Sequence, residues 1–224
     1  MQQTPAHDFC NSDLLAYIPP GCRRVTEVGC STGALARAYL QSAPGCDYIG
    51  IEIDPDYAES ARGVCARVIA GDVERMDDDG FADLFASDCV VFGDTLEHLR
   101  DPWAVLRRIK PLLRENARIV ACIPNSQHWS VQARLACGLF HYEDCGLLDR
   151  THLRWFTRIT SIAMFEACGY RVLAGRPRIF DEPARENFLP AIRAMATAAG
   201  LDPELAVADA LPLQYVFSAG VAAG

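Results

Sequence analysis

Short apolar runs alternate with amphipathic stretches along the first half of the chain. Residues 24–28 (RVTEV), 47–53 (DYIGIEI), 67–71 (RVIAG), 89–93 (CVVFG) and 117–123 (ARIVACI) read as strands. The run 89–93 has no polar alternation, the pattern of a strand covered on both faces. Residues 33–41 (GALARAYLQ) read as a helix. Pro55 opens another, at a position where its missing N–H costs nothing. The stretch 72–87 is polar and predicts one short turn of helix. Asp101-Pro102 caps and starts a helix over 103–116, interrupted by Pro111. This rhythm predicts an α/β fold with a parallel sheet covered by helices on both faces.

After Pro124 the pattern changes. Residues 125–140 predict a helix capped at Asn125 or Ser126. Residues 139–157 (LFHYEDCGLLDRTHLRWFT) mix aromatics, charge and histidine with no clean period, as expected of a loop or lid. A helix over 158–168 stops before Gly169, a C-cap signal. Residues 170–180 and 213–221 predict strands, and 183–200 and 203–211 predict alanine-rich helices. Without a repeat, linker or low-complexity tract, 1–224 reads as a single domain. Its core spans about 22–124 and 158–224. The insertion 125–157 and the C-terminal helices are expected to cap it.

Composition narrows the function classes. The 224 residues are 50% hydrophobic and 22% charged, enough to build a core without disulfides. No apolar run approaches the ~18 residues needed to span a bilayer. The start, MQQTPAHDFCNSD, has neither the basic region nor the apolar core of a secretory signal, and His7 within it has no assigned role. The formal net charge of −8 disfavours general binding of a nucleic-acid backbone. Ten cysteines include no C-x-x-C pair and several lie in apolar runs, so they read as reduced core residues of a cytoplasmic protein.

The strand-to-helix turn Glu27-Val28-Gly29-Cys30-Ser31-Thr32-Gly33 carries the first chemistry. Its glycines let a backbone approach a ligand closely. The spacing is E-x-G-x-x-x-G, and the glycine missing from G-x-G-x-x-G argues against a nicotinamide dinucleotide. Glu27 would repel a phosphate and suit a positively charged ligand group. Glu52, at the end of the second strand, can accept two hydrogen bonds from a ribose diol. Asp54 either shares that role or caps the next helix. Asp72, at the end of the third strand, can accept from an exocyclic amine.

With these residues in order, the motifs VTEVGCSTG, YIGIEIDP, VIAGDV and VVFGDTLEHLRDP resemble those of the class I methyltransferases that use S-adenosylmethionine. The resemblance covers roughly residues 22–170. It implies a Rossmann-like, mostly parallel seven-stranded sheet whose last strand is antiparallel, a place that 213–221 can fill. It also implies that Glu27, Gly29 and Gly33 hold the methionine part, Glu52 the ribose and Asp72 the adenine. Asp94, after the fourth strand, would lie near the sulfonium. The product would be S-adenosylhomocysteine.

A hydroxyl acceptor must also lose a proton, which needs a base or a metal. Asp94-Thr95-Leu96-Glu97-His98 is the densest group of such residues. In many class I methyltransferases a similar LEH segment is structural. In the small-RNA 2′-O-methyltransferases an acid-x-x-Glu-His segment and a distant histidine bind a metal, which would correspond here to Asp94, Glu97, His98 and His152. The first acid is shorter here than theirs, and the structural or substrate-lining reading is preferred over a metal. His152 or His98 is then the expected base.

The string GLLDRTHLRWFT (146–157) resembles a segment of bacterial methyltransferases found alongside glycan-assembly enzymes. Its Arg150 and Arg154, together with His128, Trp129 and Tyr142, are candidate acceptor contacts. His141 could line the same opening, and Trp103 and Trp155 read as core residues. Arg171, Arg176 and Arg178 read as a solvated strand face, with a site for an anionic acceptor as the alternative. The expected activity is methyl transfer to a small hydroxylated molecule such as a sugar, with no membrane span. Three alternatives stay open: N-methylation, metal-assisted RNA 2′-O-methylation, and cofactor binding without catalysis.

Overall fold

The computed structural model describes residues 9–222. Residues 1–8, which include His7 and most of the segment read as carrying no secretory signal, lie outside it. The described residues build one seven-stranded sheet of order β3-β2-β1-β4-β5-β7-β6. The strands are β1 (Arg24–Val28), β2 (Asp47–Glu52), β3 (Arg67–Ala70), β4 (Cys89–Gly93), β5 (Arg118–Pro124), β6 (Tyr170–Arg178) and β7 (Gln214–Val221). The first five run parallel, with Val28 facing Ile51 on one side and Phe92 on the other. β7 runs antiparallel to both β5 and β6, and a bulge lies between Val172 and Ala174. This is the doubly covered, mostly parallel sheet with an antiparallel last strand that the motifs imply.

Successive side chains of a strand point to opposite faces, so β4 and β5 feed two cores. Val90, Phe92, Ile119 and Ala121 join α4 (Asp78–Phe85), α5 (Pro102–Ile109) and α7 (Arg158–Ala167) on one face. Cys89, Val91, Val120 and Cys122 join α1 (Ser12–Tyr17) and α2 (Ala34–Ser42) on the other. Between β2 and β3 lies α3 (Pro55–Ala61). Beyond the sheet core lie α6 (Trp129–Ala136), α8 (Leu189–Ala198) and α9 (Pro203–Ala210).

The boundaries differ from the sequence reading in three places. The polar stretch 72–87 holds a 3-10 turn and the full α4, because Phe81, Leu84 and Phe85 bury one stripe of it. α6 starts at Trp129 with His128 as its cap, since the Asn125 side chain is spent on the Asp209 and Pro212 carbonyls. α1 was not foreseen. Asn11 caps it by accepting from the N–H groups of Asp13 and Leu14, both at 3.1 Å, and it packs against β5 and β7. Among the described residues no helix is long and apolar enough to cross a membrane. All ten cysteines are unpaired.

Candidate active site

The carboxyl ends of the parallel strands converge on a cavity of about 610 Å³, where open α/β sheets place their ligands. The β1–α2 turn forms its floor. Gly29 has φ +75° there, and a Cβ on it would stand 2.4 Å from Thr95 Oγ1. Thr95 Oγ1 lies 2.9 Å from the Val28 carbonyl and 3.1 Å from that of Gly93, so this contact bolts β1 to β4. Ser31 takes φ +47°, and its N–H donates to Glu52 Oε2 at 2.8 Å. Gly33, at φ +82°, caps α2 and lines neither cavity described here.

Glu52 is 5% exposed and its second oxygen, Oε1, accepts from the Asp54 N–H at 3.0 Å. Each oxygen therefore uses one lone pair on backbone and keeps another for a ligand. Asp54 caps α3 through the N–H groups of Asp56 and Tyr57, which decides between the two roles considered for it. Asp72 accepts from the Glu74 N–H at 2.9 Å and lines the cavity. Glu27 does not line it. Its carboxyl is buried beneath the turn and accepts from Tyr48 Oη at 2.9 Å. Burial pushes its pKa up to about 8. At neutral pH it therefore carries a proton, in place of the negative charge expected there.

A second cavity of about 220 Å³ adjoins the first, and Asp94 and His98 line both. Asp94 has φ +51°, and Gln214 Nε2 donates to its carboxylate. Burial raises its pKa to about 6 against the pull of its Cys122 and Gln214 hydrogen bonds and the Arg178 charge. Glu97, His98 and His152 all line the smaller cavity. The Glu97 carbonyl accepts from the N–H groups of Leu153 and Arg154 at 2.8 and 2.9 Å, which brings the lid loop against the turn after β4. The two imidazoles meet edge to face at 4.8 Å between centroids.

Glu97 is 1% exposed, and neither carboxyl oxygen has a hydrogen-bond partner among the described residues. Burial, then the neighbouring Asp94 and Asp149 charges, push its pKa well above the usual range. His98 Nδ1 lies 3.2 Å from the Thr151 carbonyl. A carbonyl only accepts, so Nδ1 carries the hydrogen and Nε2 keeps the lone pair of the neutral ring. Burial lowers the pKa of His98, and burial with the neighbouring His98 lowers that of His152 to about 4. Both rings are neutral at pH 7.

The other expected acceptor contacts do not meet at these cavities. His128 is fully buried, with Nε2 3.1 Å from Glu182 Oε2. Trp129 Nε1 donates to the same oxygen at 3.1 Å, and its ring stacks on Phe188 at 5.3 Å. The pair ties α6 to the segment leading into α8. Tyr142 is 63% exposed against Phe140. Arg154 donates to the Arg100 carbonyl and lies over the Trp103 ring. Arg150 alone of this group lines a cavity, the larger one, and pairs with Asp144 at 2.7 Å. Neither cavity is lined by any of residues 183–210, the alanine-rich segment expected to cap the site.

Sequence reasoning missed Asn11 and Gln214, and for Arg178 it preferred a solvated strand face to a place in a site. Arg178 lines the larger cavity, reaches Asp13 at 3.1 Å, and donates to Gln214. It is no solvated strand residue. The signal for α1 was present, since Asn11-Ser12-Asp13 ahead of Leu14-Leu15 is an N-cap pattern.

Residues 26–119 match a family described as a methyltransferase domain. The fold is also that of solved methyltransferases. An S-adenosylmethionine-dependent methyltransferase from Archaeoglobus fulgidus superposes with a TM-score of 0.62 at 20% identity, over 93% of this chain and 91% of that one. One from Mesorhizobium loti gives 0.58 at 15% identity, over 93% and 95%. The O-methyltransferase NcsB1 from neocarzinostatin biosynthesis, in complex with S-adenosylhomocysteine and 1,4-dihydroxy-2-naphthoic acid, gives 0.54 at 12% identity. There the match covers 94% of this chain and 53% of that one. Residues 26–119, less than half of the chain, thus carry the match to a methyltransferase domain, and the chain as a whole shares the fold of solved S-adenosylmethionine-dependent methyltransferases.

Proposed function

We propose that the larger cavity binds S-adenosylmethionine and that the chain methylates a hydroxyl of a small acceptor, a sugar or another hydroxylated metabolite, held in the smaller one. The observation that carries this reading is the shared wall: Asp94 and His98 line both cavities. When bound, the cofactor supplies a methyl group already activated on a sulfonium. What remains for the protein is position, exclusion of water and control of one proton.

In this reading both Glu52 oxygens accept from the ribose diol, Asp72 accepts from the adenine amine, and Gly29 lets the backbone lie against the methionine part. Asp94, with its pKa near 6, is a carboxylate at neutral pH and faces the positive sulfur. The Glu97–His98–His152 cluster manages the acceptor proton, since two neutral imidazoles offer lone pairs there. About 220 Å³ is the volume of ~7 waters, room for one ring-sized group. The net charge of −8 supports a small acceptor over a nucleic-acid backbone. An O-methyltransferase on a dihydroxynaphthoic acid, one of the structural neighbours, supports a hydroxyl acceptor on this fold, although this chain spans about half of its length. The unpaired cysteines support a reducing, cytoplasmic setting.

The test is transfer of labelled methyl from S-adenosylmethionine to a panel of free sugars, nucleotide sugars, phenols, amines and short RNA. Label on a sugar or phenol is the expected result. Label confined to amines or RNA would overturn the acceptor assignment.

A further inference from the structure

We propose that Arg178, on β6, binds the carboxylate of the cofactor's amino-acid part, with the Asn11 amide as a second donor. The larger cavity would thereby select adenosyl ligands that keep this group. The proposal rests on that cavity being the cofactor's. It deepens the reading by naming what holds the charged end of the ligand.

The floor of the cavity has few donors left. A carboxylate needs N–H or O–H groups, and a turn entering a helix is a common source of them. Here the N–H groups of Gly29 and Cys30 donate to the Ile51 carbonyl at 2.8 and 3.2 Å. That of Ser31 donates to Glu52 at 2.8 Å, and that of Gly33 to the Cys30 carbonyl at 2.9 Å. The turn shapes the site and spends these donors on itself, so an anion has to be met by side chains.

Three arginines line the cavity. Arg100 stands with the turn after β3, since its backbone N–H donates to Glu74 at 3.0 Å. Arg150 sits on the lid loop, half exposed and paired with Asp144. Arg178 is at the Asp94 end, because Gln214 bridges the two. The Gln214 side-chain carbonyl accepts from Arg178 Nη1, and its amide donates to Asp94.

Arg178 is built in and still has donors to give. Its side chain is 13% exposed, and Nε donates to Asp13 Oδ2 at 3.1 Å. The bonds to Asp13 and Gln214 fix the plane of the guanidinium, which carries five N–H groups. Nη2 makes no hydrogen bond among the described residues. Asn11 lines the same cavity. Its Oδ1 caps α1, while Nδ2 faces only the Cys122 sulfur at 3.4 Å, a weak acceptor.

Charge favours a zwitterion. Asp13 is shared between Arg178 and Arg176, at 3.1 and 3.3 Å. With Asp94, that makes two acids against two arginines. The region is balanced overall but polarised, with Arg178 at one end and Asp94 at the other. A ligand with a carboxylate and positive groups matches that order. An anionic acceptor offers the same chemistry as the carboxylate. Arg178 lines the larger cavity and not the smaller, which favours the cofactor.

The test compares S-adenosylmethionine with its decarboxylated form, which keeps the adenosine, sulfonium and amine. Calorimetry on the full-length protein should show S-adenosylmethionine bound ~10–100-fold more tightly, the range for hydrogen bonds to a charged group. Arg178→Met should lose that preference, weakening on S-adenosylmethionine while binding the decarboxylated form within about threefold of the unsubstituted protein, which also shows that it folds. Arg178→Lys keeps the charge without the fork and should fall between. Should Arg178→Met fail to fold, the ratio of the two ligands on the unsubstituted protein and on Arg178→Lys decides. Equal affinity of the unsubstituted protein for both ligands, or equal loss on both in the variants, would overturn the proposal. Unchanged affinity for both, with KM raised for a nucleotide sugar but not for a free sugar, would assign Arg178 to the acceptor and overturn it too. Failure of the unsubstituted protein to bind either ligand would overturn the cofactor reading itself. Tight binding without preference would leave that reading standing and remove Arg178 from it.

Discussion

Glu52 and Glu97 are both buried glutamates, one at the end of β2 and one just after β4, and their surroundings are opposite. Each Glu52 oxygen accepts from a backbone N–H, of Ser31 or of Asp54. Glu97 has no hydrogen-bond partner for either oxygen among the described residues and lies against two neutral imidazoles. The same contrast separates the two cavities they line. The larger is built from tight turns after β1 to β4, whose polar groups are already paired with backbone. The smaller is lined by the turn after β4, the lid loop and the ends of β5 and β7, and the Glu97 carboxyl within it has no hydrogen-bond partner among the described residues. A pre-paired site suits an invariant ligand such as a cofactor, because its geometry exists before binding. An unsatisfied site suits the group that changes charge during the reaction, because its polar groups cost least once that group arrives.

Substitutions separate the two halves. Glu97→Gln should lower methyl transfer by ~10²–10³-fold, the range for removing acid–base assistance, with S-adenosylhomocysteine affinity unchanged. Steady-state kinetics beside calorimetry checks this, and retained turnover would put the chemistry elsewhere. Glu52→Ala should act on the other half, weakening S-adenosylhomocysteine binding by ~1.5–3 kcal/mol through lost hydrogen bonds to a charged group. Unchanged affinity there would remove the ribose role.

Glu27 belongs to neither half, and its effect is on stability. Its folded pKa of about 8 exceeds the ordinary 4.5, so between those values the folded chain holds a proton that the unfolded chain has lost. Stability should therefore fall as pH rises through that window, by at most ~1.4 kcal/mol per pH unit. Glu27→Gln should flatten this slope, which melting curves from pH 5 to 8 will show. A slope as steep in the variant would mean that Glu27 is ionised throughout. Tyr142→Ala should change neither turnover nor melting temperature appreciably, because the ring is exposed and lines neither cavity. A tenfold loss of turnover would bring the tip of the lid into the acceptor site.

The two halves also differed in how far they could be read from the chain. The lining of the larger cavity was legible because each group sits at a fixed offset from a strand that its apolar run reveals: Gly29 after β1, Glu52 at the end of β2, Asp72 after β3. Glu27 shares that spacing, but whether a side chain at a strand end points outward or beneath depends on its neighbour, here Tyr48. At the smaller cavity, His98 and His152 drew notice as residue types. Their meeting depends on the N–H groups of Leu153 and Arg154 reaching the Glu97 carbonyl. Backbone hydrogen bonds between a loop and a turn leave no mark in side-chain pattern. His128 and Trp129 misled for a related reason. Their place after β5 suggested the cavity mouth, but their side chains are held by Glu182 and Phe188 and line neither cavity.

The most direct test of this division is a crystal structure with S-adenosylhomocysteine bound. The account predicts adenosine in the larger cavity, with the ribose on Glu52, the adenine amine at Asp72, and the sulfur at the wall formed by Asp94 and His98. A sulfur turned away from that wall, or a homocysteine tail filling the smaller cavity, would contradict it.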